Sequence, residues 1–284
     1  MKTLSIALIE FTRSNILEDN IRRMANLLEE IDYVDIVFLP ENWLTPKPLP
    51  EDYYFIILKN IINKNLIIFT GISYIIDHNK VFSRGYLVKR GDIIPVCEKQ
   101  FPSKAVGERG RVSPGSFYEP ISVEGTHIGC VACVDIFYPE VARAHALRGA
   151  KALYNPAAIP SNRITLWHSI LSARAAENIV FAIGVNSVGT PYPDGRLTSG
   201  ESIVVSPDGS PVTPIKIIKN IKIYELNLNI IDSIAKRWAY REDLENGRVS
   251  RIVKALGKID ILSSDSASTL VASNEGARKR LRQY

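Results

Sequence analysis

The sequence predicts an α/β protein whose sheets are covered by helices. Strand-like and helix-like segments alternate from the first residues onward, and a mixture of βα units with tight hairpins needs helices packed on sheet faces. The chain is also large enough to bury a sizeable core: 284 residues, 46% hydrophobic and 23% charged, is the composition of an ordinary globular protein and not of a disordered one.

Taken in order, residues 4–9 form a strand and 15–30 an amphipathic helix, in which Ile16, Met24, Leu27 and Leu28 recur near the 3.6 period while Asn20 interrupts the apolar stripe. Residues 35–39 form a buried strand that stops at Pro40, which leaves Glu41 on a loop. A second unit follows, with a helix over 52–63, a strand over 66–74, and two further strands over 81–88 and 93–97. His78-Asn79 and Arg90-Gly91-Asp92 supply the turns. Residues 100–120, with Pro102, Pro114 and Pro120 in polar company, read as a loop, and loops this long in compact domains usually carry function.

Residues 126–134 then read as a strand and 139–149 as a helix, with Pro139 in its first turn and Gly149 at its end. A strand over 151–155, a helix over 165–178 and a strand over 179–186 come next. Strands over 202–206 and 221–228 complete the pattern, with Asp208-Gly209 as the turn between them. Past Trp238 the periodicity weakens: 248–256 reads as a helix and 263–274 is polar and small. One domain is therefore expected over 1–245, followed by a C-terminal extension over 246–284 that suits a subunit interface.

The net charge of +5, from 35 Lys and Arg against 30 Asp and Glu, gathers in the basic stretch 277–284. No aromatic-interleaved or helix-turn-helix pattern accompanies it, so nucleic acid is not an expected partner. The first apolar run leads into Glu10 and Arg13 without a cleavage site, and no run reaches the roughly 18 to 20 apolar residues of a membrane span. Three cysteines, an odd and small number, argue against a disulfide framework and for a cytoplasmic setting.

Cys133 is placed where a strand runs into a turn and a helix, which presents its side chain beside free backbone N–H groups; alone it could equally be a buried strand cysteine. Cys130-Val-Ala-Cys133 has redox or zinc spacing. An offset of three along a strand, however, sends the two side chains to opposite faces, and neither Cys97 nor the four histidines supply a second pair. His78, His127, His145 and His168 all lack an obvious place at a strand end. Glu41 and Lys99 each follow a strand directly, where a charge is either an ordinary loop residue or a group on the sheet's rim.

Phe38-Leu-Pro-Glu41, Glu98-Lys99, and Cys133-Val-Asp135 with Pro139-Glu140 together resemble the nitrilase, or carbon–nitrogen hydrolase, superfamily. The order Glu, Lys, Cys agrees, as do the separations of 58 and 34 positions. The resemblance continues through Asn155-Pro156, Arg174 to Asn178, Asn186 with Gly189, and Gly200-Glu-Ser202, so that it covers residues 1–245. It implies a four-layer αββα sandwich of the nitrilase type. Within it, Cys133 would be the nucleophile, Glu41 the proton carrier, Lys99 and the backbone N–H of Val134 the oxyanion partners, and Glu108 a residue that positions substrate and water. Where such proteins commonly carry an aromatic residue and an arginine, this chain has Val134 and Phe137, and an apolar wall is expected there.

The activity so implied is thiol-dependent hydrolysis of the C–N bond of a small linear amide or N-carbamoyl compound through a thioester, with release of ammonia or an amine. The alternatives are a nitrilase acting on a nitrile and a non-catalytic ligand-binding member of the same fold. No cofactor and no metal are expected, and the resemblance implies a homodimer or larger homo-oligomer.

Overall fold

Period-two alternation along the first strand sends its residues into two different cores, and the rest of the architecture follows from that division. The structure, a computed structural model, describes residues 3–62 and 65–246. In chain order its elements are β1 (Thr3–Ile9), α1 (Leu17–Glu29), β2 (Ile36–Phe38), β3 (Leu49–Pro50), α2 (Glu51–Ile61), β4 (Ile68–Asp77), β5 (Lys80–Lys89), β6 (Asp92–Glu98), β7 (Ile121–Val123) and β8 (Thr126–Cys130). They continue with α3 (Pro139–Leu147), β9 (Ala152–Ala157), α4 (Ile164–Asn178), β10 (Phe181–Asn186), β11 (Val188–Pro191), β12 (Leu197–Ser199), β13 (Ile203–Val205), β14 (Pro211–Val212), β15 (Lys216–Ile218), β16 (Ile221–Asn227), α5 (Asn229–Arg237) and α6 (Tyr240–Glu245).

One sheet runs in the order β15-β16-β1-β2-β4-β5-β6, with β3 paired to β4. The second runs β14-β13-β10-β9-β8-β7, and β11 with β12 makes a separate hairpin. Ala7 and Ile9 face outward and join Met24 and Leu28 of α1 and Tyr54, Ile57 and Leu58 of α2 in one buried cluster. Ile6, Leu8, Phe38 and Phe69, on the opposite face, join Val123, Ile128 and Tyr154 of the second sheet. Across this seam the Tyr154 ring stands 4.8 Å from Phe38 and 5.5 Å from Phe69, and its hydroxyl donates to the Leu39 carbonyl. On the far side, Trp167 and Leu171 of α4 and Val141 and Ala142 of α3 cover the second sheet. The result is the αββα sandwich. Each large apolar side chain so buried contributes on the order of 1.5–3 kcal/mol, and this packing fixes the strand ends on which the site is built.

The turns expected at His78-Asn79 and Arg90-Gly91 join β4 to β5 and β5 to β6; all four residues have positive φ, as two-residue hairpins require. Asn20, which breaks the apolar stripe of α1, is itself buried. Its side chain accepts from the Ser14 N–H at 2.8 Å and donates to the Ser14 and Leu44 carbonyls, both at 2.9 Å, so a polar group lies inside because its hydrogen bonds are met.

Three expectations are corrected. The strand expected over 126–134 stops at Cys130, and Cys133–Phe137 is a 3₁₀ turn. Asp208-Gly209 turns β13 into β14 and does not connect directly to β16. The β11–β12 hairpin, β7 and α5 add elements over residues to which the sequence reading assigns none. The helix expected over 248–256 and the basic tail lie outside the described residues. Residues up to Trp238 form one contact unit; in the next, α6 is closed by 2.9 Å bonds from Asp243 N to Ala239 O and from Asn246 N to Glu242 O. Among the described residues, no helix is long and apolar enough to cross a membrane.

Candidate active site

Glu41, Lys99 and Cys133 come from three separate strand ends, and each is held by backbone geometry nearby. Glu41 lies just after β2, where its loop is pressed against a bulge in β4. Gly71 at that bulge has φ +74°, and a methyl group there would lie 2.1 Å from the Pro40 carbonyl oxygen, so only glycine admits this approach. Arg13 fixes the next residue by donating to the Asn42 carbonyl at 2.7 Å, and the Ser187 hydroxyl donates to the Glu41 carbonyl at 3.3 Å. Lys99 follows β6, and its carbonyl accepts the Gly115 N–H at 2.8 Å. A side chain at Gly115 would meet Glu98 at 2.3 Å.

The Cys133 turn is shaped by residues distant in sequence. Asn155 at the end of β9 donates to the Val131 carbonyl at 2.6 Å and to the Cys133 carbonyl at 3.0 Å, while accepting from the Trp167 indole at 2.8 Å. Arg174 on α4 donates to the Ile136 carbonyl at 2.9 Å and to the Phe137 carbonyl at 3.3 Å. Asp135 ties the turn to the Lys99 segment, because its carboxylate accepts the N–H groups of Gln100 at 2.7 Å and Phe101 at 3.1 Å. Cys133 itself has φ +40°.

These elements gather a buried ionic cluster. The Lys99 ammonium donates to Glu41 Oε1 at 2.6 Å and to Glu108 Oε1 at 2.7 Å, and both Lys99 and Glu108 are 0% exposed. Glu108 is fixed further by the Tyr74 hydroxyl at 2.8 Å and the Ser103 N–H at 2.5 Å. Burial alone would lower the Lys99 pKa, but Glu41, the Cys133 sulfur and Glu108 together outweigh it and hold the ammonium well above its ordinary value. For Cys133, burial and then the negative charge of Glu41 push the thiol well up, against the smaller opposing pull of Lys99 and the Ala158 N–H. Burial and the neighbouring carboxylate thus both favour the neutral thiol at Cys133.

Cys133 is 7% exposed, which corrects the exposed side chain expected from the turn, and it lines a cavity. That cavity, of about 350 Å³, is walled by Val134, Phe137 and Ile159 as well as Cys133, so Phe137 does stand as an apolar wall. A second cavity, of about 360 Å³, reaches Glu41 and is lined by Arg13, Asn42 and Tyr74. Tyr192, on the segment between β11 and β12, lines both and donates to the Ala158 carbonyl at 2.6 Å. Val134 lies in the first turn of the 3₁₀ segment, where N–H groups have no carbonyl of the same turn to bond.

The other sequence candidates lie elsewhere. His78 and His127 are exposed, and His168 pairs with the Glu201 carbonyl at 2.8 Å. His145 is buried against the Phe117 ring, and burial lowers its pKa to about 4. Cys130 lies at the seam beside Cys97, whose thiol is pushed well up by burial and by that neighbour. Among the described residues, no three His, Cys, Asp or Glu side chains gather as a metal site would require. Sequence reasoning missed Tyr74, Tyr192 and Arg13. The last two depend on an unexpected hairpin and a loop, and Tyr74 looks like any strand aromatic.

The αββα sandwich thus gathers a thiol, a carboxylate and a buried ammonium at the ends of its strands. The chain belongs to the carbon–nitrogen hydrolase family, whose model matches residues 6–235. Among curated proteins it is 33% identical over 215 residues to the "Hydrolase in agr operon" of Staphylococcus aureus, covering 70% of this chain and 80% of that one. It is 30% identical over 203 residues to the 2-oxoglutaramate amidase of Bacillus subtilis (strain 168), covering 67% and 78%. Its fold matches that of a carbon–nitrogen hydrolase from Helicobacter pylori G27, with TM-score 0.76, 20% identity, and 85% and 94% of the two chains covered. It also matches Nit3 of Saccharomyces cerevisiae, a member of branch 10 of the nitrilase superfamily, with TM-score 0.72, 22% identity, and 83% and 94% covered.

Proposed function

We propose that the protein hydrolyses small linear amides or N-carbamoyl compounds through a thioester on Cys133. The observation that carries this reading is the buried cluster in which the Lys99 ammonium holds Glu41 at 2.6 Å and Glu108 at 2.7 Å, on the rim that also carries Cys133. Glu41 takes the thiol proton as sulfur attacks the amide carbon, so that charge moves onto the amide oxygen only as the C–S bond forms. The Lys99 ammonium and the Val134 N–H receive that oxygen, and one such donor is worth about 3–4 kcal/mol in typical sites. When the intermediate collapses, Glu41 returns its proton to the leaving nitrogen and ammonia departs. Glu41 then deprotonates a water that attacks the thioester, and the carboxylic acid product leaves with the thiol restored.

Glu108 fits the positioning role in this scheme, because Tyr74, Ser103 and Lys99 fix both its oxygens. An amide is favoured over a nitrile by the likeness to a 2-oxoglutaramate amidase. The test is ammonia release from a panel of amides, carbamoyl compounds and nitriles by the wild type and by Cys133→Ala. Release from amides or carbamoyl compounds is expected only from the wild type, with mass spectrometry detecting an acyl adduct on Cys133. Equal release by the two proteins would overturn the proposal, and release from nitriles alone would replace it with a nitrilase.

A further inference from the structure

The polar groups that line the cavity at Glu41 differ in what they already hold. Thr190 Oγ1 takes the Arg13 N–H at 3.1 Å, and Thr198 Oγ1 takes the Thr190 N–H at 2.9 Å. Arg111 donates to the Gly107 and Val106 carbonyls at 2.6 and 3.3 Å. The Tyr74 hydroxyl is spent on Glu108 and that of Tyr192 on the Ala158 carbonyl. Asn42 is the contrast. It is only 7% exposed and lines the same cavity, and its Oδ1 has no hydrogen-bond partner among the described residues. A buried acceptor left unmet lowers stability, so such a group calls for a cause.

The backbone at Asn42 is pinned on both sides and does not supply that cause. Its N–H donates to the Ile72 carbonyl at 2.7 Å, its carbonyl accepts Arg13 Nη1 at 2.7 Å, and its φ is +48°. Asparagine enters the left-handed region more readily than most residues with a Cβ, but glycine would fill it with less strain and would bury no amide oxygen. The conformation therefore accounts for a small or flexible residue and not for an amide. A donor N–H arriving in the cavity would meet the oxygen that the fold leaves open.

We propose that Asn42 Oδ1 accepts an N–H of the substrate's scissile nitrogen and so turns the lone pair of that nitrogen toward Glu41. This inference rests on the amidase reading and adds an orienting residue to it. Glu41 and Asn42 line one cavity, Cys133 lines the other, and Tyr192 lines both, so the leaving nitrogen lies on the Asn42 side and the acyl group on the Cys133 side. When the tetrahedral intermediate collapses, the electron pair of the C–N bond stays on nitrogen, the proton passes from Glu41 to that nitrogen, and the carbonyl re-forms. The N–H held by Asn42 does not transfer. Its hydrogen bond fixes the orientation in which proton transfer from Glu41 is in line.

The test compares two substrates with one acyl group: the amide or carbamoyl compound of the panel above that the wild type cleaves fastest, and its counterpart with a methoxy group in place of the leaving nitrogen. The methoxy oxygen has no hydrogen to donate, so only the nitrogen compound can use Asn42. Values of kcat/KM, which report the steps up to acyl transfer, are measured for the wild type and Asn42→Gly, with urea unfolding of both proteins. For Asn42→Gly the loss with the nitrogen compound is expected to exceed the loss with the methyl ester by about 10-fold, the size of one hydrogen bond. The unfolding midpoint should not fall, because glycine suits a positive φ and removes the unmet acceptor. Equal losses with the two substrates, a larger loss with the ester, or no loss with either would overturn this proposal and leave the amidase reading standing. No ammonia from any amide or carbamoyl compound with the wild type would overturn both.

Discussion

Glu98 and Lys99 are neighbours at the end of β6, and each belongs to a cluster of one cation with carboxylates, half-buried around Arg84 and buried around Lys99, yet the two clusters differ in what they leave open. In the first, Arg84 donates from Nε to Glu98 at 2.7 Å, from Nη1 to Glu51 at 2.7 Å and from Nη2 to Asp77 at 2.8 Å. The remaining Glu98 oxygen takes the Ser116 N–H at 2.8 Å, and Glu51 also takes the Tyr86 hydroxyl at 2.6 Å. Every nitrogen of the fork is occupied, and this cluster is closed. In the second, the Lys99 ammonium binds Glu41 and Glu108, and Glu41 also faces a thiol and a cavity. The same ingredients thus make a fixed joint when all valences are met and, in the proposed mechanism, a proton-transfer site when one carboxylate keeps a thiol as neighbour.

Removing each cation should separate the two roles. The largest effect is expected for Lys99→Met, which leaves Glu41 and Glu108 buried together without a counter-ion. Stability should fall by about 3–5 kcal/mol, measured by urea unfolding, and, under the proposed mechanism in which Lys99 is an oxyanion donor, ammonia release should fall by a factor of about a thousand or more. Arg84→Met should cost about 2–4 kcal/mol of stability, because three carboxylates lose their partner. Its kcat/KM, however, should stay within about 3-fold of wild type, the range left for indirect effects at a site where only the joint is lost. A collapse of kcat equal to that of Lys99→Met would break the distinction between joint and site.

The smallest effect concerns Asp135, which links the Cys133 turn to the Lys99 segment. Burial, opposed by the Gln100 and Phe101 amides, pushes its pKa up to about 6. The folded protein therefore retains this proton up to about pH 6, while the unfolded chain loses it near pH 3.9. Ionisation of Asp135 costs nothing below the lower value and has its full cost above the upper one, up to about 3 kcal/mol. The unfolding free energy of Asp135→Asn relative to wild type should accordingly rise between pH 4 and pH 7. A difference that stays flat across that window would show that the carboxylate is not held in this state.

The layers of the fold were legible in the sequence because they rest on local signals: period-two strands, the amphipathic stripe of α1, and positive-φ turns at His78-Asn79 and Arg90-Gly91. Glu41, Lys99 and Cys133 were ambiguous one at a time and informative in order, since each follows a strand that brings it to one rim. What the sequence hid is non-local. The strand into Cys133 ends early because the Asn155 side chain takes the carbonyls of Val131 and Cys133, and that partner lies 22 residues beyond Cys133. The β11–β12 hairpin has short strands with a register shift and two prolines, so its alternation is too brief to read, and Tyr192 was lost with it. Arg84 showed only as a charge within a strand, with carboxylate partners from three different elements.

The left-handed backbone at Cys133, with φ +40°, has a consequence for how such a chain changes over time. A residue with a Cβ in this region gives up on the order of 1–3 kcal/mol that glycine would keep. Mutational drift at position 133 thus has a downhill direction in folding free energy that leads away from sulfur. A selection that rewards robustness alone would favour glycine at that bend, and under the proposed mechanism a continuous demand for turnover is what keeps a cysteine there.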